Sequence, residues 1–167
     1  MASIKSEYGT STALTNAIQS LGSSSTWLAG YESDVIDNTS NKYLDYSLEG
    51  KITVGTSPSA GTEIRIYVVA SFDGTTWPDV FDGTTSAETI TSAGVASGFL
   101  KLAAVILVDA TTSDRTYPFS VGSVAALYGG MCPAKFSLFT THNTGVNLNA
   151  TGGNHVFNYR GAYATSA

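Results

Sequence analysis

The 167-residue chain sets thirteen Asp and Glu against eight Lys and Arg, a formal charge of −5, and only 13% of its residues are charged. A chain of this length fits one domain that buries about 70% of its unfolded surface, so folding requires neither a metal nor a disulfide. Eight scattered basic residues exclude a nucleic-acid face, which needs clustered Lys and Arg to displace counterions from phosphates.

The opening MASIKSEYGTSTALTN lacks the apolar centre of a signal peptide. No apolar run approaches the roughly 20 residues that cross a bilayer as a helix, so a soluble chain with no membrane partner is expected. Residues 1–10 are polar and poorly patterned; they read as an extended N-terminal arm that becomes ordered only on a partner surface. Residues 11–167 read as one β-sandwich domain. Within it, strands are expected at Thr12–Ile18 and Thr26–Ile36. From Leu44 to Val54 the chain alternates, with Leu44, Tyr46, Leu48, Ile52 and Val54 on one face and a bulge or kink at Gly50. Ile64, Ile66, Val68, Ala70 and Phe72 repeat the pattern, and the opposite face is itself partly apolar, as in a strand covered by a neighbour. Further strands are expected at Phe99–Val108, Tyr117–Val121, Lys135–His142 and His155–Tyr163, with one short helix candidate at Val121–Leu127. The clusters GTSPSAG, DGTTWPDVFDGT, SAGVASG, ATTSDR and NATGGN separate these runs as turns. Such a series of strands without βαβ alternation predicts an all-β fold, a sandwich of two antiparallel sheets with jelly-roll connections. An immunoglobulin-like sandwich is the weaker alternative, because its paired cysteines are absent. Phe72, Phe136, Leu138, Phe157 and Tyr159 are the expected core.

Several groups are candidates for chemistry. Asp73, Asp79 and Asp82 crowd the loop SFDGTTWPDVFDGT, but their spacing is not that of an EF-hand, and Asp-Gly is a common turn former. The loop therefore reads as two turns flanking a crossover, with Trp77 and Phe81 pinned inward; Trp77 is also the candidate for stacking on a sugar. His142 and His155 flank NTGVNLNATGGN and have no third ligand between them for zinc, so turn hydrogen bonding is their expected role. Cys132 is alone, a free thiol without a neighbouring base. No Gly-x-Ser-x-Gly elbow surrounds any serine. The two Asn-x-Ser/Thr matches, at Asn38 and Asn149, read as accidental in a chain with no secretory signal. These residues give the chain no catalytic group, metal or cofactor, and no enzymatic activity is expected. Arg115, after Asp114 and before Tyr117, is the candidate for a subunit contact.

Gly55–Ile90, together with Ser113–Thr165 and its motif THNTG…L…TGGNH…Y.G.YAT, resembles a family of virion structural proteins of tailed bacteriophages that decorate or cement the head. The resemblance covers more than half the chain. It implies a head decoration protein made in the bacterial host cytoplasm and carried on the virion, with the major capsid protein as partner and a homotrimer as its assembly. It carries over no catalytic residue. Tyr8, Tyr31, Arg115 and Tyr117 are the side chains expected at the contacts. A tail, neck or fibre part, or a carbohydrate-binding module, is the alternative.

Overall fold

A computed structural model describes residues 4–166. Eleven strands run in the order β1 (Ile4–Tyr8), β2 (Thr12–Ala13), β3 (Ala29–Glu32), β4 (Ile36–Asp37), β5 (Asp45–Thr53), β6 (Thr62–Ser71), β7 (Ser86–Thr89), β8 (Lys101–Val108), β9 (Thr116–Val121), β10 (Lys135–His142) and β11 (Val156–Ser166). One helix, α1 (Ala93–Phe99), lies between β7 and β8. The strands form two antiparallel sheets. One has the order β1–β11–β5–β9, with β2 also on β11; the other has the order β7–β3–β10–β6–β8, with β4 also on β10. The fold is an all-β sandwich.

The alternation read from the sequence is what closes it. Tyr46, Leu48 and Ile52 from β5 face Ile64, Ile66 and Val68 from β6, and Phe136, Leu138, Phe119 and Phe157 complete the core between the sheets. Phe119 and Phe157 meet at 5.0 Å, Tyr46 and Phe136 edge to face at 5.3 Å. Burying each such side chain stabilises the fold by roughly 1.5–3 kcal/mol. Tyr159 is half-buried against the same core. The second apolar face of β6 is covered as its pattern suggested. Val69 and Phe139 lie beneath Phe81 and Ile90 in a smaller cluster on the outside of the sheet, and Phe99 of α1 packs on Phe81 at 5.6 Å.

Several expectations are corrected. The Thr12–Ile18 strand is confined to Thr12–Ala13, and Thr26–Ile36 is broken into β3 and β4. The turn cluster SAGVASG is helix α1, started by Ser92, whose side chain accepts from the Val95 N–H at 3.2 Å. The Val121–Leu127 helix is a single 3₁₀ turn at Ala125–Tyr128. Gly50 is not a bulge, since both its ladders run through in register. It is glycine because a Cβ there would lie 2.0 Å from the Val156 carbonyl oxygen and 2.7 Å from the Phe119 ring. Phe72 is not core: β6 ends at Ser71, the chain turns at Asp73, and the ring is 57% exposed. Residues 4–8 of the arm are a strand, paired with β11 from Ile4↔Ser166 to Tyr8↔Ala162 and exposed along its whole length; residues 1–3 lie outside the described residues.

Candidate docking surface

β5 fixes the two ends of the sandwich. Asp45 pairs with Ala162 at one end and Thr53 with Thr116 at the other, about 27 Å apart for nine extended residues. At the Asp45 end three loops converge, 38–44, 72–75 and 122–134. Asn38, which is buried, ties the first of these to the last. Its side chain donates to the Tyr43 carbonyl and accepts from the Tyr43 N–H at 2.7 Å and from the Tyr46 hydroxyl at 3.0 Å, while its own N–H donates to the Ala134 carbonyl at 2.9 Å. Asp45 accepts from the Ala125 N–H at 2.8 Å, which holds the 3₁₀ turn against β5. Lys135 reaches Asp37 at 3.5 Å. Tyr43 lies flat on the backbone of β11, so close that a Cβ on Gly161 would be 2.1 Å from its ring.

This hydrogen-bonded frame presents apolar side chains to solvent. Leu44 is 63% exposed and Met131 66%. Phe72 stands edge to face on Tyr128 at 5.3 Å, and the Tyr128 hydroxyl donates to the Val68 carbonyl. Beside them projects the two-stranded ribbon of β1 and the end of β11, with Ile4 and Tyr8 exposed. Ribbons of two strands have little stability of their own in water, and clustered exposed apolar groups mark interaction sites. Cys132 lies half-buried under this surface. Burial, reinforced by Asp45, pushes its thiol up to about 11, the opposite of a reactive cysteine.

Of the expected contact residues only Tyr8 lies at this end. Tyr31 is half-buried against the core. Arg115 and Tyr117 sit at the opposite end, where Arg115 lies over the Tyr117 ring at 5.5 Å and pairs with Asp109 at 3.4 Å, and Tyr117 is buried. Trp77 is half-buried on Gly83, where a Cβ would come within 2.8 Å of its ring. Sequence reasoning set Leu44 on the apolar face of its strand and Phe72 in the core, where the structure exposes both, and did not single out Met131.

The loop carboxylates are all engaged by hydrogen bonds: Asp73 and Asp82 close their own turns, and Asp79 ties the loop to Thr91. Asp73 accepts from the N–H groups of Thr75 and Thr76 and from the Thr76 and Ser71 hydroxyls, Asp79 from Thr91, and Asp82 from Thr84. Those hydrogen bonds, the side-chain ones first, hold all three below the usual carboxylate range. At the far end His142 and His155 meet different carbonyls, those of Leu21 and Asn149, each at 2.9 Å. Burial lowers both imidazole pKa values. Among the described residues no three His, Cys, Asp or Glu side chains are grouped to hold a metal, and no helix is long and apolar enough to cross a membrane. No protein-family model, curated protein or solved structure matches the chain.

Proposed function

We propose that the chain is a structural component of a tailed-bacteriophage particle, a head decoration protein that docks the Asp45 end of its sandwich on the capsid shell. The observation that carries this reading is the exposure of Leu44, Phe72 and Met131 on three hydrogen-bonded loops at one end of the sandwich, with the exposed β1–β11 ribbon beside them. Such a surface suits adhesion to a preformed partner, with the major capsid protein as that partner, and many copies on one particle make up for modest single contacts. The strand path is read as a jelly roll: β2–β11–β5–β9 faces β3–β10–β6–β8, and β7 extends the second sheet. The homotrimer that the resemblance implies has its self-contact on the outer side of β8. There Leu102, Val105 and Leu107 are exposed next to Arg65, whose guanidinium lies 3.8 Å over the Trp27 ring.

The test is to mix purified protein with heads that lack it and to separate bound from free by sedimentation. Phe72→Ser with Met131→Ser should abolish binding while leaving the melting temperature within a few degrees. Val105→Lys should reduce the mass of the free oligomer. Unimpaired binding by the double variant would overturn the docking assignment. Density for the chain on the tail, neck or fibres would replace the head by that location.

A further inference from the structure

At the end of the sandwich opposite the candidate docking surface, four loops border an open cleft of about 450 Å³. Its walls are Ser20, Thr56, Asp114, Asn147 and Asn149, and Val146 and Ala150 give it a small apolar lining. We propose that this cleft is a binding site for a neutral saccharide.

The cleft is built around Asn149, all of whose polar atoms are engaged. Its N–H donates to the Thr53 carbonyl, and its carbonyl accepts from the Ser20 N–H at 3.2 Å and from His155 Nε2 at 2.9 Å. Its side-chain oxygen accepts from the Thr151 N–H and from Asn154 Nδ2, and its own Nδ2 donates to Asp114 Oδ1 at 2.6 Å. That last bond aims the Asp114 carboxylate and leaves Oδ2 without a partner among the described residues. The Ser20 and Thr56 hydroxyls and the Asn147 amide, on residues that like Asp114 are exposed, likewise make no protein hydrogen bond among the described residues and are open to a ligand from solvent. Ser20, Ser57 and Asp114, all in or beside the wall, have φ of 59°, 54° and 57°, a left-handed conformation that non-glycine residues hold only where the surroundings impose it, and one that clusters at ligand clamps.

The chemistry of the wall selects the ligand. Vicinal hydroxyls of a sugar can donate to Asp114 Oδ2 and exchange hydrogen bonds with the Asn147 amide, while the C–H face of the ring rests on Val146 and Ala150. An anion would meet Asp114 with no free cation beside it, because Arg115 is turned to Asp109 and Tyr117. A divalent cation would find one carboxylate where it wants six or more oxygen ligands. Trp77, the sugar platform suggested by the sequence, is not part of this cleft.

This inference stands apart from the particle assignment, because the isolated chain is titrated. Amide NMR shifts are followed while glucose, galactose, mannose, N-acetylglucosamine and their short oligomers are added. At least one should perturb the amides of residues 20, 56, 114 and 147, with a millimolar or tighter Kd. Asp114→Asn, which tolerates the left-handed backbone, and Asn147→Ala should each weaken that sugar about tenfold. Trp77→Ala should leave its affinity unchanged, and a sulfated oligosaccharide should bind no better than its neutral counterpart. No perturbation up to about 50 mM, well beyond useful affinity, would overturn the proposal. So would binding that survives both cleft variants with unchanged melting temperature, that is lost with Trp77, or that requires sulfate.

Discussion

Replacing Glu32 with Ala tests the packing of the long 72–85 crossover against the sheet. Glu32 is fully buried on β3. Its carboxylate accepts from the Ser137 hydroxyl at 2.6 Å, the Gly83 N–H at 3.0 Å and the Asp82 N–H at 3.3 Å. Alanine strands the first two donors in the interior and half-strands the third. At about 1–3 kcal/mol for each buried unsatisfied group, the gross loss is about 2.5–7.5 kcal/mol. The wild-type carboxylate is itself costly to bury: desolvation raises its pKa in spite of three hydrogen bonds. Subtracting that penalty leaves an expected net destabilisation of about 2–4 kcal/mol at neutral pH. Glu32→Gln can hold its carbonyl oxygen at the Oε1 position, where it still accepts from Ser137 and Gly83, and sets its NH2 only against the weaker Asp82 N–H, so its loss should be about 1–2 kcal/mol and smaller than alanine's. Because the folded pKa is raised, ionisation opposes folding. Wild type should therefore lose stability relative to Glu32→Gln as pH climbs from the ordinary value of 4.5 through the raised one. Urea unfolding of the three proteins at pH 4 and pH 7 supplies the numbers, and hydrogen exchange at Gly83 should quicken in the alanine variant. An alanine variant within about 0.5 kcal/mol of wild type, inside the spread of neutral surface changes, would refute the reasoning, as would a glutamine variant less stable than the alanine one.

Phe157→Ala should cost about 3–5 kcal/mol in denaturant unfolding, since the ring is buried between the sheets. His142 and His155 are held neutral by burial, their folded pKa values lying below the ordinary 6.5. Their contribution is complete above that value and is lost as pH falls below it, so melting temperature should drop between about pH 6.5 and 5, and His142→Gln should flatten that slope. Chelation of divalent ions should leave the melting temperature unchanged within about two degrees, because hydroxyl and N–H donors of Thr76, Thr91 and Thr84 already engage Asp73, Asp79 and Asp82.

Circular dichroism should show little helix, in keeping with 44% strand and 9% helix. The strands were the readable part of the sequence. β10 lies at Lys135–His142 as its pattern predicts, and β6 differs by two residues at its start and one at its end, because apolar residues on both faces leave a strand one place to go. What escaped has local causes. α1 is built from Ala, Gly, Ser and Val, a composition that reads as a turn until Phe99 finds Phe81. Phe72 continues a period that the backbone does not, since nothing local says that β6 stops one residue earlier. β1 is polar and takes its strand form from a partner at the other end of the chain. The docking surface and the cleft were each invisible for the same reason: their side chains come from separate loops, and proximity between Ser20, Asp114 and Asn149 is a property of the assembled sandwich.

The pairing of Ile4 with Ser166 sets the first and last described residues side by side at the Asp45 end of the sandwich. A passenger protein joined directly before Ile4 or after Ser166 would emerge there, against the candidate docking surface. An inserted passenger that leaves that end free therefore belongs in the 110–113 turn at the other end. The same neighbourhood invites circular permutation, with a short glycine-serine bridge joining Ser166 to Ile4 and new termini opened near Thr112. Such a rearranged chain would keep every strand pairing while moving its free ends to the opposite end of the sandwich.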